Sequence, residues 1–100
     1  MIFYISSKSD FEQIVNNEDV VVIDMSSPTC QFCNQLFPFF AELSEKYKPF
    51  KFIKLSPELK EESLRSYCSS FYVYKNGKLA DHLIAIPNEH DLEEMIASFK

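Results

Sequence analysis

Short apolar runs alternate along this chain with stretches at helical spacing. Ile2–Ile5 is an apolar run that suits a first strand. Ser9 followed by Glu12 has the form of a capping box, and Phe11, Ile14 and Val15 continue it at helical spacing. Asn16-Asn17-Glu18-Asp19 then turns the chain. Val20–Met25 is a β-branched run interrupted only by Asp24, the pattern of a strand buried on both faces. Ser26-Ser27-Pro28-Thr29 breaks it. A second helix starts near Cys30, with Leu36, Phe40, Leu43 and Tyr47 at i, i+4, i+7 and i+11 forming a core-facing stripe. Pro38 lies inside that helix, removes the hydrogen bond to the carbonyl of Asn34 and should kink it.

Phe50–Leu55 reads as a third strand. Ser56-Pro57 opens another helix, with Leu59, Leu64 and Tyr67 as a modest apolar face. Phe71–Tyr74 and Leu79–Ile86 are strands joined through Lys75-Asn76-Gly77-Lys78, and Asn-Gly between apolar runs is a strong hairpin signal. Asn88 or Asp91 can cap a last helix, whose Leu92, Met95, Ile96 and Phe99 share a face. The order of elements predicts an α/β fold: one domain over residues 1–100, with a mixed sheet and helices on both faces.

Composition narrows the function classes. With 46% hydrophobic residues, ten Phe and five Tyr, the chain can fill a core without disulfide staples. The net charge is −5. No stretch offers a basic stripe, so nucleic acid is not an expected partner. No apolar run approaches the roughly 18 residues of a membrane span, so no membrane partner is expected either. The first residues lack a basic region and a small-residue cleavage site, which predicts no secretory signal and a cytoplasmic setting.

Three cysteines are too few, and odd in number, for a secreted disulfide framework. Two of them form Cys30-Gln31-Phe32-Cys33, a spacing that leaves redox chemistry, metal binding and simple packing open. Cys30 falls in the loop after a buried strand, and Cys33 one turn into a helix. Residues i and i+3 on a helix have Cβ atoms about 5–6 Å apart, close to disulfide geometry. Free backbone N–H groups and the helix dipole at the helix entrance favour a thiolate at the first cysteine, and the thiolate is the attacking species in exchange. The strand–CxxC–helix context favours redox chemistry.

At these residues the chain resembles the thioredoxin family over nearly its whole length. Val-Val-Val-Ile-Asp-Met, with Cys30 six residues after Asp24, is similar to the family's active-site segment. Pro38, five residues after Cys33, matches its kinking proline. Pro38-Phe-Phe-Ala-Glu-Leu-Ser-Glu-Lys-Tyr47 resembles the eukaryotic thioredoxins, and Tyr74-Lys-Asn-Gly77 matches the family's hairpin. The resemblance implies dithiol–disulfide exchange with protein disulfides, with Cys30 attacking, Cys33 resolving and Asp24 relaying a proton through water. Burial in a run of Val and Ile agrees with that last role, because desolvation disfavours the charged carboxylate and lets it hold a proton. Lys54 occupies the place of a lysine that pairs with this aspartate in some thioredoxins; an exposed strand-edge lysine is the plainer reading. A separate NADPH-dependent thioredoxin reductase would recycle the protein, which has no nucleotide-binding glycine motif, needs no cofactor of its own and is expected to be a monomer.

The departures from the family pattern are local. Thr29-Cys-Gln-Phe-Cys-Asn34 stands where thioredoxins usually read Trp-Cys-Gly-Pro-Cys-Lys, which implies a redox potential unlike the typical one. The aromatic before the second cysteine is closer to the glutaredoxin pattern. Counting back eight residues from Gly77 reaches Ser69, where the family's cis-proline should stand. A cis bond before a non-proline residue costs about 2.5–4 kcal/mol, which favours a trans Cys68–Ser69 bond and a different loop. Thr29, Gln31, Phe32, Cys68 and Ser69 are therefore the expected substrate contacts. Two alternatives stay open: a thioredoxin-fold binding module with weak redox activity, and a metal or iron–sulfur site drawing on the cysteines with His82 or His90. The remaining aromatics of the second helix, Phe37 and Phe39, read as packing, and Glu93-Glu94 as a solvated helix face.

Overall fold

Strand parity and helical periodicity together divide the side chains of this protein between two cores. The computed structural model describes residues 2–25, 31–56, 69–84 and 88–100. Its elements are β1 (Ile2–Ile5), α1 (Lys8–Asn17), β2 (Val20–Asp24), α2 (Gln31–Lys46), β3 (Lys51–Leu55), β4 (Ser69–Lys75), β5 (Lys78–Ile84) and α3 (Glu89–Ala97). The expected helix from Ser56-Pro57 onward, Ala85 and the end of the last expected strand, and the isomer of the Cys68–Ser69 bond lie outside the described residues.

The five strands form one mixed sheet in the order β1-β3-β2-β4-β5. β3 runs parallel to both β1 and β2, while β4 is antiparallel to β2 and β5. β2 is central and all five of its residues are buried. Val20 and Val22 face a core made with Leu36, Phe40 and Leu43 of α2 and Leu92, Met95 and Ile96 of α3. Val21 and Ile23 face the opposite side, with Phe11 and Val15 of α1, Ile53, Leu55 and Tyr72. Phe40 is fully buried, with its ring centroid 5.2 Å from that of Phe52 and 5.6 Å from that of Phe71. Burial of one such side chain contributes about 1.5–3 kcal/mol. The predicted stripe of α2 is thus the face that covers the sheet.

The start of α1 differs from the expectation. Ser7, not Ser9, is the N-cap: its backbone is extended, and its hydroxyl accepts from the Asp10 N–H at 3.4 Å. Ser7 has an acidic residue, Asp10, at the same three-residue spacing that Ser9 has to Glu12, so the local signal fits either serine. In α3 Asn88 is the cap, and Asp91 supplies the N–H that it accepts.

The β4–β5 hairpin closes as Asn-Gly predicts. Lys75 pairs with Lys78, and the two residues between them have positive φ, 54° at Asn76 and 83° at Gly77. That is a type I′ turn, whose twist matches the flanking strands. The Asn76 N–H donates to the Asp19 carbonyl at 2.9 Å and ties the hairpin to the turn before β2.

Glu93 is half-buried and paired, not merely solvated. It accepts from Lys46 and, at 2.8 Å, from the Tyr47 hydroxyl, and so joins the end of α2 to α3. The hydrogen bond from Lys46, and then that from Tyr47, holds the Glu93 carboxyl below its ordinary range. Glu93 in turn raises Lys46 and Tyr47.

Candidate active site

The site is built where the C-terminal end of β2 meets the start of α2. Asp24 is the last residue of β2, and by parity it points to the α2 side, as Val20 and Val22 do. Its exposure is 0%. Seven residues later α2 begins at Gln31, so Gln31, Phe32, Cys33 and Asn34 form the first helical turn. The first N–H groups of a helix have no intrahelical acceptor and carry partial positive charge. Cys30 immediately precedes this turn in sequence; it lies, with Thr29 and Cys68, outside the described residues. Ser69 opens β4, opposite Ile84 in the ladder.

The register of the parallel strands sets what lies beside Asp24. Asp24 is opposite Lys54 of β3, and Lys54 is opposite Tyr4 of β1. On its other side Asp24 is opposite Phe71 of β4. Tyr4, Lys54, Asp24 and Phe71 therefore make one row across the C-terminal end of the parallel strands. Lys54 Nζ is 3.6 Å from Asp24 Oδ2, with the lysine side chain 27% exposed. At that distance the two are held by charge and not by a hydrogen bond. The plainer reading of Lys54 as an exposed strand-edge residue is corrected by this pair. Alternation sends Phe52 and Lys54 to the same face of β3, and one strand away that face carries the carboxylate.

Above the row, Lys54 Nζ also stands 5.1 Å from the centroid of the Phe37 ring. Phe37 is four residues after Cys33, one turn further along α2. Sequence reasoning placed Phe37 in packing; the ring does pack on the core, but it also covers the ammonium. Nothing local could have shown this, because the contact depends on how α2 packs across β3.

The two histidines stand elsewhere. His82 is on β5, half-buried, with its ring centroid 6.4 Å from that of Tyr72. His90, in the first turn of α3, lies 2.9 Å from Glu94. Among the described residues no helix is long and apolar enough to cross a membrane.

Chemically, a helix entrance that favours a thiolate, a second cysteine in the first helical turn and a buried carboxylate at the end of the adjoining strand suit thiol–disulfide exchange with internal proton transfer. Comparison with known proteins points the same way. The family model for Thioredoxin matches residues 3–98. Thioredoxin 1 of Plasmodium falciparum is 28% identical over 103 residues, covering 99% of this chain and 98% of that protein. The thioredoxin of Equus caballus is 31% identical, covering 96% of each. The solution structure of the oxidised thioredoxin from Plasmodium falciparum superposes with a TM-score of 0.88 at 28% identity, covering 99% of this chain and 98% of that one.

Proposed function

This chain belongs to the thioredoxin family and is a thiol–disulfide oxidoreductase acting on protein disulfides, and we propose that Cys30 and Cys33 are its working dithiol, with Asp24 as the internal proton acceptor. The Cys30 thiolate attacks one sulfur of a substrate disulfide and expels the other as a thiolate. The Cys33 thiol gives up its proton, which Asp24 takes through water. Its sulfur then attacks Cys30 and releases the second substrate thiol. Two electrons pass from the dithiol to the substrate, leaving a Cys30–Cys33 disulfide. Thr29, Gln31, Phe32, Cys68 and Ser69 form the surface that meets the substrate.

The rest of the reading rests on what membership of the family implies. As the thioredoxin family implies, a separate NADPH-dependent thioredoxin reductase returns the two electrons; this chain carries no nucleotide-binding glycine motif. The protein works as a single-domain monomer in the cytoplasm.

The observation that supports this most is Asp24 itself. It is a fully buried carboxylate at the end of β2, seven residues before α2 begins, with a lysine as its ion-pair partner. A single-turnover assay tests the assignment. Reduced protein is mixed with a peptide disulfide, and release of the two substrate thiols is followed separately. Cys33→Ser should give the first release and stall as a mixed disulfide on Cys30. Asp24→Asn should leave the first release intact and slow the second. A mixed disulfide trapped on Cys68, or an unchanged second release in Asp24→Asn, refutes the corresponding role.

A further inference from the structure

The ammonium beside Asp24 is held from two directions. Lys54 Nζ lies 3.6 Å from Asp24 Oδ2 and 5.1 Å from the Phe37 ring centroid. Phe37 is itself braced on both sides. Its ring stacks on that of Phe40, with centroids 6.2 Å apart at 29°. On the outer side it meets the Tyr4 ring at 6.4 Å and 45°. Four elements thus converge on one charge: β2 with the carboxylate, β3 with the lysine, α2 with the ring above it and β1 with the ring's outer support.

This arrangement bears on where the lysine rests. A lysine head on a four-carbon stem, 27% exposed, has many rotamers, and most of them reach into water. The face of a phenyl ring is electron-rich and attracts an ammonium, more strongly where water is thinned. Phe37 blocks the outward path and rewards the inward one. A side chain of similar bulk without a ring would block the path but offer no face.

We propose that Phe37 is a positioning residue for the resolving step: its ring face clamps the Lys54 ammonium against Asp24 and so fixes the field in which Asp24 takes the proton of Cys33. This rests on the reading of Asp24 as the proton acceptor. Phe37 touches neither substrate nor proton; it acts through Lys54. Of the other residues contacting Phe37 or sharing the row with Asp24, Phe40 and Phe71 carry no ionisable group, and the Tyr4 phenol belongs to the largely exposed Tyr4.

The test uses the whole chain in the same single-turnover assay, with Phe37→Leu, Phe37→Tyr, Asp24→Asn and the Phe37→Leu/Asp24→Asn pair. Phe50→Leu, a ring removed between α2 and β3, controls for loss of packing. Proton NMR of Lys54 is read in parallel, since ε-methylene protons over a ring face are displaced upfield. The clamp predicts displaced Lys54 signals in the native protein, retained in Phe37→Tyr and lost in Phe37→Leu. It predicts that Phe37→Leu slows the second thiol release by about fivefold, that Phe37→Tyr restores it, and that Phe37→Leu adds nothing once Asp24 is Asn. If Asp24→Asn is slow and Phe37→Leu is not, the clamp falls and the role of Asp24 stands. If Asp24→Asn is itself unchanged, both fall. Undisplaced Lys54 signals in the native protein overturn the clamp whether or not any variant folds.

Discussion

Replacing Lys54 by Met removes one charge from the buried pair and keeps a flexible stem of similar reach. The consequence for stability can be worked from the geometry. Unit charges 3.6 Å apart attract by about 4–5 kcal/mol at an effective dielectric of about 20. The lysine is 27% exposed, so water screens part of this, and roughly half is a fair net value. Asp24, by contrast, is fully buried and loses the charge of its ion-pair partner. Lys54→Met should therefore cost about 2–3 kcal/mol at neutral pH, which for a domain of this size lowers the melting temperature by roughly 10–20 °C. Asp24→Asn should behave in the opposite way. It removes a charge whose desolvation costs several kcal/mol and leaves a lysine that can turn to solvent, so it should be neutral or stabilising. Adding Asp24→Asn to Lys54→Met should recover most of the loss. Urea denaturation of the four reduced proteins, analysed as a double-mutant cycle, measures the coupling. A coupling below about 0.5 kcal/mol would refute the argument, because a fully buried carboxylate cannot be indifferent to a cation 3.6 Å away.

Two further outcomes test the frame around the site. Gly77→Ala puts a Cβ at φ +83°, 3.1 Å from Asn16 Oδ1, and should destabilise the protein by about 1–2 kcal/mol in urea denaturation; a neutral result would mean that the turn relaxes freely. Glu93 is held below its ordinary value of 4.5 by Lys46 and then by Tyr47, so its contribution is complete above that pH and is lost as pH falls through the lower folded value. The melting temperature of the native protein should therefore drop more steeply than that of Glu93→Gln below about pH 4.5, and parallel acid profiles would exclude the link between α2 and α3 as the cause.

What the sequence made legible was set by how local each feature is. The Asn-Gly turn needs only two positive φ values, and the residue types supply them. The α2 stripe of Leu36, Phe40, Leu43 and Tyr47 is buried as its period requires, because one helix face must cover the sheet. The first helix cap falls at Ser7 and not at the expected Ser9, because both serines have an acid three residues on. Glu93 looked like half of a solvated pair because its partners, Lys46 and Tyr47, are on another helix almost fifty residues earlier.

The chemistry shows itself in the sequence where a residue breaks its element's pattern. Asp24 is the only charge in Val20–Met25, and burial there can be sustained only if something nearby answers it. Lys51, Lys75 and Lys78 also stand in strands of this sheet, so Lys54 carried no comparable signal until the register placed it opposite Asp24. Phe37 breaks a pattern too. It lies one residue off the stripe of α2, on the side turned toward β1, which is the edge of the sheet. An aromatic at the margin of a core-facing helix has less apolar surface to bury against than its neighbours on the stripe. Here its surroundings include a phenol that is 70% exposed and a lysine head. Burial alone is a weak reason for a ring in that position, and the cation beneath it supplies a stronger one.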